Sequence, residues 1–252
     1  PPPKLNEILS EDELDPGGTW GSGIYTSAAT VYPFAPRVYL FFPTLMRYDT
    51  GESTIQLATS RDGIHVQRKF HSAYVPPNPN AQRVGKQIAY TAYMGPGMVR
   101  VKDEIWMYGC ETDVPHDSAW YGKRTPGGIH RYVQRLDGFI SLDGRDKPGV
   151  VTTKPFVLRG TQVEINANAN LAQSQSTGSL LTVEVLGVRG KALARSHPVR
   201  SDGVALRPRW QNRSTLADFV GQPIQLRFTM RFVKLYAFQV VKAEQDKAVK
   251  RD

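Results

Sequence analysis

The sequence predicts an all-β fold, in which a partial β-propeller of about two blades is followed by an antiparallel β-sandwich. Short apolar and aromatic runs separated by turn residues continue from Ile24 to Val241, and no amphipathic helical pattern interrupts them. One arrangement of strands and turns occurs twice before residue 150. After that residue, the pattern of strand and turn residues and the net charge both change.

The repeated arrangement consists of a buried strand, an alternating strand and an Asp-Gly turn. Its two copies are Val38–Phe42, Thr54–Thr59 and Asp62-Gly63, then Glu104–Tyr108, Gly128–Val133 and Asp137-Gly138. An Asp-Gly pair favours a tight hairpin because it tolerates positive φ at both turn positions. The order of elements is typical of successive propeller blades. We therefore assign residues 23–150 to propeller blades and residues 1–22 to a linker or extended segment.

The second half of the chain predicts an antiparallel sandwich over residues 151–242, followed by a charged tail over residues 243–252. The predicted strands are Thr152–Leu158, Gln162–Asn166, Leu180–Leu186, Gly203–Trp210, Ile224–Arg231 and Lys234–Val241. Residues 1–150 contain 16 Lys and Arg and 16 Asp and Glu, whereas residues 151–252 contain 16 and 7, a net charge of +9. Such a basic domain attracts acidic polysaccharide, acidic lipid or nucleic acid, or simply keeps the protein soluble.

Composition excludes several classes of protein. The single cysteine, Cys110, rules out a disulfide framework within the chain and a cysteine-rich zinc site. No apolar run approaches the roughly 20 residues that cross a bilayer, so we expect no membrane partner. The sequence Gly95-Pro96-Gly97 lacks the Lys-Ser/Thr of a phosphate loop, and we predict no cofactor. The N-terminus at Pro1 looks trimmed or mid-chain; we expect a secreted or periplasmic protein, although the chain contains no signal segment.

The predicted catalytic residues lie in a long polar loop over residues 111–127. General acid–base catalysis commonly uses carboxyl groups, one of which burial beside aromatic rings can keep protonated. Glu111, Asp113 and Asp117 supply carboxyl groups close to aromatic residues, and we predict Glu111 as the proton donor. The alternative is that all three are solvated loop acids. A metal site built from Asp113, His116 and Asp117 is the weaker interpretation, and we predict no metal.

Substrate binding is predicted to use aromatic rings that stack on sugars. The predicted binding residues are His116, Trp120, Tyr121, Tyr25, Tyr93 and Arg100, and Tyr32 and Tyr90 are further stacking candidates. Asp62 and Asp137 precede glycines in turns, so we interpret both as structural.

The order of these motifs resembles a known group of enzymes. The resemblance rests on the runs that begin at Tyr25, Tyr32, Val38, Leu57, Tyr93 and Glu104, and on the passage from Arg135 to Phe156. Together they are similar to five-bladed β-propeller proteins related to glycoside hydrolase families 32, 43 and 68, over about residues 23–242. The resemblance implies a C-terminal part of such a protein, with further blades supplied by an N-terminal region or another chain.

These observations predict a carbohydrate-active protein whose partner is an oligo- or polysaccharide. The first hypothesis is a glycoside hydrolase-like enzyme that hydrolyses or binds its substrate in a propeller funnel. The second is a non-catalytic carbohydrate-binding module for acidic glycans. A third, nucleic-acid binding through the basic half, has no recognised motif and is the least favoured.

Overall fold

The protein is all-β. The computed structural model describes residues 5–18, 20–35, 37–116, 127–171 and 178–242. Within these ranges there are nineteen strands and two short 3-10 turns, Val188–Gly190 and Ala217–Phe219, and no α-helix. The all-β prediction is therefore confirmed. The chain divides into two compact units, residues 1–133 (unit 1) and residues 134–252 (unit 2). None of the described segments forms a helix with the length and apolarity that crossing a membrane requires.

Unit 1 is built on one eight-stranded sheet and one small hairpin. Its strands are β1 (Ser22–Val31), β2 (Tyr39–Arg47), β3 (Ser53–Ile55), β4 (Ala58–Ser60), β5 (Arg83–Val84), β6 (Gln87–Ile88), β7 (Thr91–Met94), β8 (Val99–Val101), β9 (Glu104–Thr112) and β10 (Gly127–Arg135). The large sheet has the order β1-β2-β3-β7-β9-β10, with β4 beside β2 and β8 beside β9. A single parallel pairing, Ser53 with Thr91, joins its two antiparallel halves.

The centre of the first half of the sheet is β2, which is buried from Leu40 to Leu45. A continuous buried run of this kind indicates a strand covered on both faces. The one hydroxyl within this buried run, that of Thr44, donates to the carbonyl of Ala92 at 3.1 Å, so the polar group is satisfied. The predicted Thr54–Thr59 strand is interrupted at Gln56, whose side-chain amide donates to the carbonyl of His71 instead.

The Asp62 turn is structural, as predicted, but it is not a two-residue hairpin. Asp62 Oδ1 accepts hydrogen bonds from the amides of Ile64 and His65 at 2.9 and 2.8 Å. A hydrogen bond from the His65 ring and then these two amide bonds hold the pKa of Asp62 far below its usual value. Only Gly63 has positive φ, and the strands reconnect at Thr59 and Gln67. The turn is therefore a longer loop closed by side-chain acceptors.

Unit 2 contains two antiparallel sheets. Its strands are β11 (Leu142–Gly144), β12 (Gly149–Thr152), β13 (Phe156–Val157), β14 (Gln162–Asn168), β15 (Leu180–Leu186), β16 (Ala192–Arg195), β17 (Asp202–Leu206), β18 (Pro223–Arg231) and β19 (Val233–Val241). One sheet has the order β11-β19-β14-β17. The other has the order β12-β18-β15-β16, with β13 also beside β18. Val150, where the sequence placed a domain boundary, lies within β12 and pairs with Thr229 of β18.

Alternation along the strands forms the core of unit 2. In β18, Ile224, Leu226, Phe228 and Met230 are buried, and the residues between them are half-buried. They form one cluster with residues of β14, β15 and β19: Val163, Ile165, Ala167, Leu181, Val183, Val185, Val233 and Leu235. Each large apolar side chain buried in this way contributes roughly 1.5–3 kcal/mol of hydrophobic free energy.

Candidate functional site

Three residues predicted to bind substrate, Tyr25, Tyr93 and His116, lie together in unit 1. The rings of Tyr25 and His116 meet edge to face, with 4.4 Å between centroids and 64° between planes. The Tyr93 ring lies 6.2 Å from that of Tyr25. We call these three side chains the aromatic cluster. Rings at such separations attract one another through their quadrupoles, which fixes their relative orientation.

A β-bulge places Tyr25 in this cluster. The pairing of β1 with β2 shifts between Ile24 and Thr26, so that Tyr25 is the extra residue on β1. Bulges of this kind redirect a side chain away from the regular pleat. Tyr25 remains 57% exposed, so much of its ring is accessible to a ligand.

Backbone contacts hold His116 beside the ring of Tyr25. The His116 amide donates to the carbonyl of Gly51 at 2.9 Å. The Thr91 hydroxyl donates to the carbonyl of Val114 at 2.9 Å, which fixes the segment leading to His116. Gly51 has a φ of 67°, and a Cβ there would lie 3.0 Å from both the His116 carbonyl oxygen and the Pro115 Cβ. Glycine is therefore needed at position 51 for this segment to approach.

One atom of the cluster points to a ligand. Nδ1 of His116 is buried and has no hydrogen-bond partner within the described part of the chain. A buried polar atom without a partner costs about 1–3 kcal/mol, so nearly all such atoms in folded proteins are satisfied.

Glu111 lies in strand β9 and not in the predicted loop, which begins after Thr112. It stands opposite Ala92 of β7. The hydroxyl of Tyr132 donates to Oε1 of Glu111 at 2.7 Å. Tyr132 approaches this closely because position 109 is glycine: a Cβ at Gly109 would lie 2.8 Å from its ring. The carboxyl group of Glu111 is thus held in one orientation by a neighbouring strand.

Two tyrosines stay protonated around Glu111. Burial, followed by the nearby negative charge of Glu111, raises the pKa of both Tyr90 and Tyr132 far above the usual value. Tyr132 therefore serves as a hydrogen-bond donor and is unsuited to act as a nucleophile. Tyr90 is fully buried and Tyr32 nearly so, which corrects the expectation that their rings stack on sugars.

Glu52 is a second carboxylate near Tyr90, and the sequence analysis missed it. Its charge also raises the pKa of Tyr90, and its side chain is only 13% exposed. Glu52 precedes Ser53, the residue that pairs with Thr91 across the parallel junction of β3 and β7. No local pattern announces a pairing between segments almost forty residues apart, so the sequence offered no signal for it.

The cluster and Glu111 occupy opposite faces of the sheet. Tyr93 stands opposite Cys110, whereas the adjacent position, Ala92, stands opposite Glu111. Successive side chains of a strand point to opposite faces. The Tyr93 ring and the Glu111 carboxyl group therefore do not face the same site.

The other predicted site residues are more scattered. Asp113 is exposed beyond the end of β9. Arg100 lies in β8, where its Nε donates to the carbonyl of Lys102 and its guanidinium lies 6.0 Å from the centre of the Phe34 ring. Neither contact involves the aromatic cluster. Asp117, Trp120 and Tyr121 lie outside the described residues.

One group of side chains has the composition of a metal site but the bonding of an ion pair. Asp12, Asp15 and His71 bring ligand-type atoms within 4.8 Å of one another. The guanidinium of Arg68, however, donates to both oxygens of Asp15, at 2.6 and 2.5 Å. Both side chains are almost fully buried. The cation that balances this carboxylate is thus Arg68, and the pair fastens residues 10–15 to the sheet of unit 1.

Sequence comparison identifies no relative for this chain. No known protein family matches it, and no curated protein matches it either. The resemblance to propeller glycoside hydrolases therefore stays a prediction.

Proposed function

We propose that the protein is carbohydrate-active and glycoside hydrolase-like, and that unit 1 binds a saccharide on the aromatic cluster. In this proposal unit 1 corresponds to propeller blades and unit 2 to an accessory β-sandwich. Further blades would come from an N-terminal region or from another chain.

The observation that carries the proposal is Nδ1 of His116, which lacks a partner among the described residues and lies on a ring that meets the exposed ring of Tyr25. Sugar rings present apolar C–H faces and hydroxyl groups, so they need a flat aromatic surface together with a hydrogen-bonding atom at its edge. Tyr25 supplies the surface, and His116 supplies the atom. Tyr93 lies beside Tyr25 and extends the aromatic area.

Hydrolysis is the activity assigned to Glu111 in this proposal. Its Oε1 is held by Tyr132, and its second oxygen would donate a proton to the glycosidic oxygen as the bond to the anomeric carbon breaks and water adds to that carbon. Glu52 is the second carboxyl group that hydrolysis would require. Because Glu111 and Tyr93 face opposite sides of the sheet, a substrate would have to reach Glu111 around the end of β9.

Binding is tested by titrating the full chain with a panel of oligosaccharides in the calorimeter. Tyr25→Ala should weaken binding about tenfold, since an aromatic contact contributes about 0.5–1.5 kcal/mol beyond burial. Tyr48→Ala is the matched control, because Tyr48 is a similarly exposed tyrosine of unit 1. Equal affinity for the two variants would remove the aromatic cluster from the binding site.

Hydrolysis is tested by the release of reducing sugar from the saccharide that binds best. Glu111→Gln should lower that release roughly 100-fold or more and leave affinity unchanged, since it removes only proton transfer. An unchanged rate would exclude Glu111 from the chemistry.

The second candidate function is non-catalytic binding of acidic glycans. Unit 2 favours it, because each of the four acidic residues between positions 151 and 242 forms an ion pair with an arginine. The same range contains thirteen lysines and arginines, so nine positive charges remain in excess. Glycan binding without any sugar release by the wild-type chain would select this function.

A further inference from the structure

An open groove lies at the edge of unit 2, along β16. It has a volume of about 240 Å³ and is lined by Ala192, Leu193, Ala194, Arg195, Trp210, Gln211, Asn212 and Arg213. β16 is the last strand of the five-stranded sheet, so one of its long sides lacks a strand neighbour. At the end of β16 the segment 209–211 pairs with residues 195–197, with the amide of Gln211 donating to the Arg195 carbonyl at 2.9 Å.

Positive charge is concentrated around this groove. Arg195 and Arg213 line it, and the exposed residues Arg189, Lys191 and Arg209 flank the two segments that form it. Arg189 adopts positive φ, at 68°, in the turn that precedes β16. Positive φ is unfavourable for a non-glycine residue, and turns usually place glycine at such a position.

The acids near the groove offset only part of this charge. Glu184 accepts from both Arg195 and Arg227, so that group of three carries a net positive charge. The bonds from Arg195 use Nε and Nη2, while 61% of its side chain is exposed. Asp218 pairs with Arg213. Lys191 and Arg209 form no ion pair within the described residues.

We propose that this groove binds an acidic polysaccharide, such as a sulfated or uronic acid-containing chain. Guanidinium groups bind sulfate and carboxylate through paired hydrogen bonds, and Lys191 adds a point charge. The amides of Gln211 and Asn212 can donate to and accept from sugar hydroxyls. The inference rests on the proposed function where it favours a saccharide over other polyanions.

The aromatic rings near the groove do not favour binding of nucleic acid. Single-stranded nucleic acid is bound by stacking its bases on open aromatic faces. Trp210 is 93% buried, being part of the apolar core of unit 2. Phe219 packs partly buried against the same core, and the Arg213 guanidinium lies 4.4 Å from its ring centre. Neither ring offers a face to a base.

The test measures binding of the full chain to immobilised dextran sulfate, with neutral dextran as the reference. The groove variant is Lys191→Glu with Arg209→Glu. The control variant is Lys154→Glu with Arg159→Glu. Both residues are exposed; Lys154 lies between β12 and β13, and Arg159 follows β13, so both lie towards the opposite edge of the same sheet. Both variants change the net charge by the same amount.

The groove variant should weaken binding to dextran sulfate about tenfold or more, and the control variant should change it only slightly. Binding should also weaken as salt is raised from low to physiological concentration. An equal loss in both variants would overturn the groove, because it would show a diffuse effect of charge. Competition by single-stranded oligonucleotide as strong as that of soluble dextran sulfate would overturn the choice of polysaccharide.

The same assay separates this inference from hydrolysis in unit 1. Glu111→Gln should bind dextran sulfate as the wild type does, because Glu111 belongs to the other unit. Loss of binding in the groove variant then supports the groove whether or not the wild-type chain releases sugar.

Discussion

The two units differ in how they accommodate buried polar side chains. Unit 1 buries polar groups within its fold, among them Asp15, Gln56 and Arg68. Unit 2 is organised around one continuous apolar core, and its buried carboxylates, Glu164 and Glu184, are each held by arginines that remain partly exposed. Buried polar networks fix one arrangement of the chain but are costly when incomplete. Unit 1 therefore holds its chain in part through buried polar contacts, whereas unit 2 carries its arginines on the outside of an apolar core.

The largest loss of stability is expected from a substitution at Arg68. Arg68→Leu should lower the free energy of unfolding by roughly 3–5 kcal/mol, because it leaves the carboxylate of Asp15 buried without its cation. Urea unfolding measures this loss, and hydrogen exchange should show faster exchange over residues 5–18. Asp49→Asn is the control, since the Asp49 side chain is 59% exposed in its ion pair with Arg47, and such a pair contributes about 1 kcal/mol or less. Similar losses for both variants would mean that the buried pair has no special role.

The apolar core of unit 2 should respond to a loss of volume. Leu226→Ala removes a fully buried side chain of β18 and should cost roughly 2–5 kcal/mol in the free energy of unfolding, through lost burial and the cavity left behind. Val220→Ala, at a site 47% exposed, should cost less than about 0.5 kcal/mol. If urea unfolding gave equal midpoints for the two variants, the core assigned to β18 would be wrong.

The smallest effect is expected at Glu184, where the partners are partly exposed. Hydrogen bonds from Arg227 and then Arg195 outweigh burial and hold the pKa of Glu184 below its usual value of about 4.5. A lowered pKa contributes stability above pH 4.5, and that contribution is lost as the pH falls through the folded-state pKa. Glu184→Gln should therefore cost roughly 1–2 kcal/mol at pH 7 and less at pH 3.

This pH dependence is measured by urea unfolding at the two pH values. Asp218→Asn serves as the control, because the Asp218 side chain is 80% exposed in its pair with Arg213. A cost for Glu184→Gln that stays the same at both pH values would show that the carboxylate of Glu184 is not held by its arginines.

Local pattern was enough for much of unit 2. The predicted strand Leu180–Leu186 has the observed bounds, and the strand predicted at Ile224–Arg231 begins one residue earlier, at Pro223. Their alternating residues face one core, which a period of two predicts. The short strands β11 and β16 were missed, because three or four residues with Asp, Gly or Arg among them have no distinctive period.

The site of unit 1 was only partly predictable. Tyr25, Tyr93 and His116 were selected for their residue types, and the structure brings them together through a bulge and a glycine at position 51. Glu111 was selected as a loop acid, but β9 continues through it to Thr112. Tyr132 and Glu52 were missed, because their relation to Glu111 and Tyr90 depends on contacts between distant strands.

The sequence by itself determined the all-β class, the strongly basic second half and the alternation that defines the core of unit 2. Each of these follows from composition or from a period of two, which is a local property of the chain. The tertiary structure alone decided which carboxylates meet which tyrosines, which arginines neutralise the acids of unit 2, and which aromatic rings gather around Tyr25. Those outcomes depend on strand register, and one residue of register decides the face on which every side chain lies.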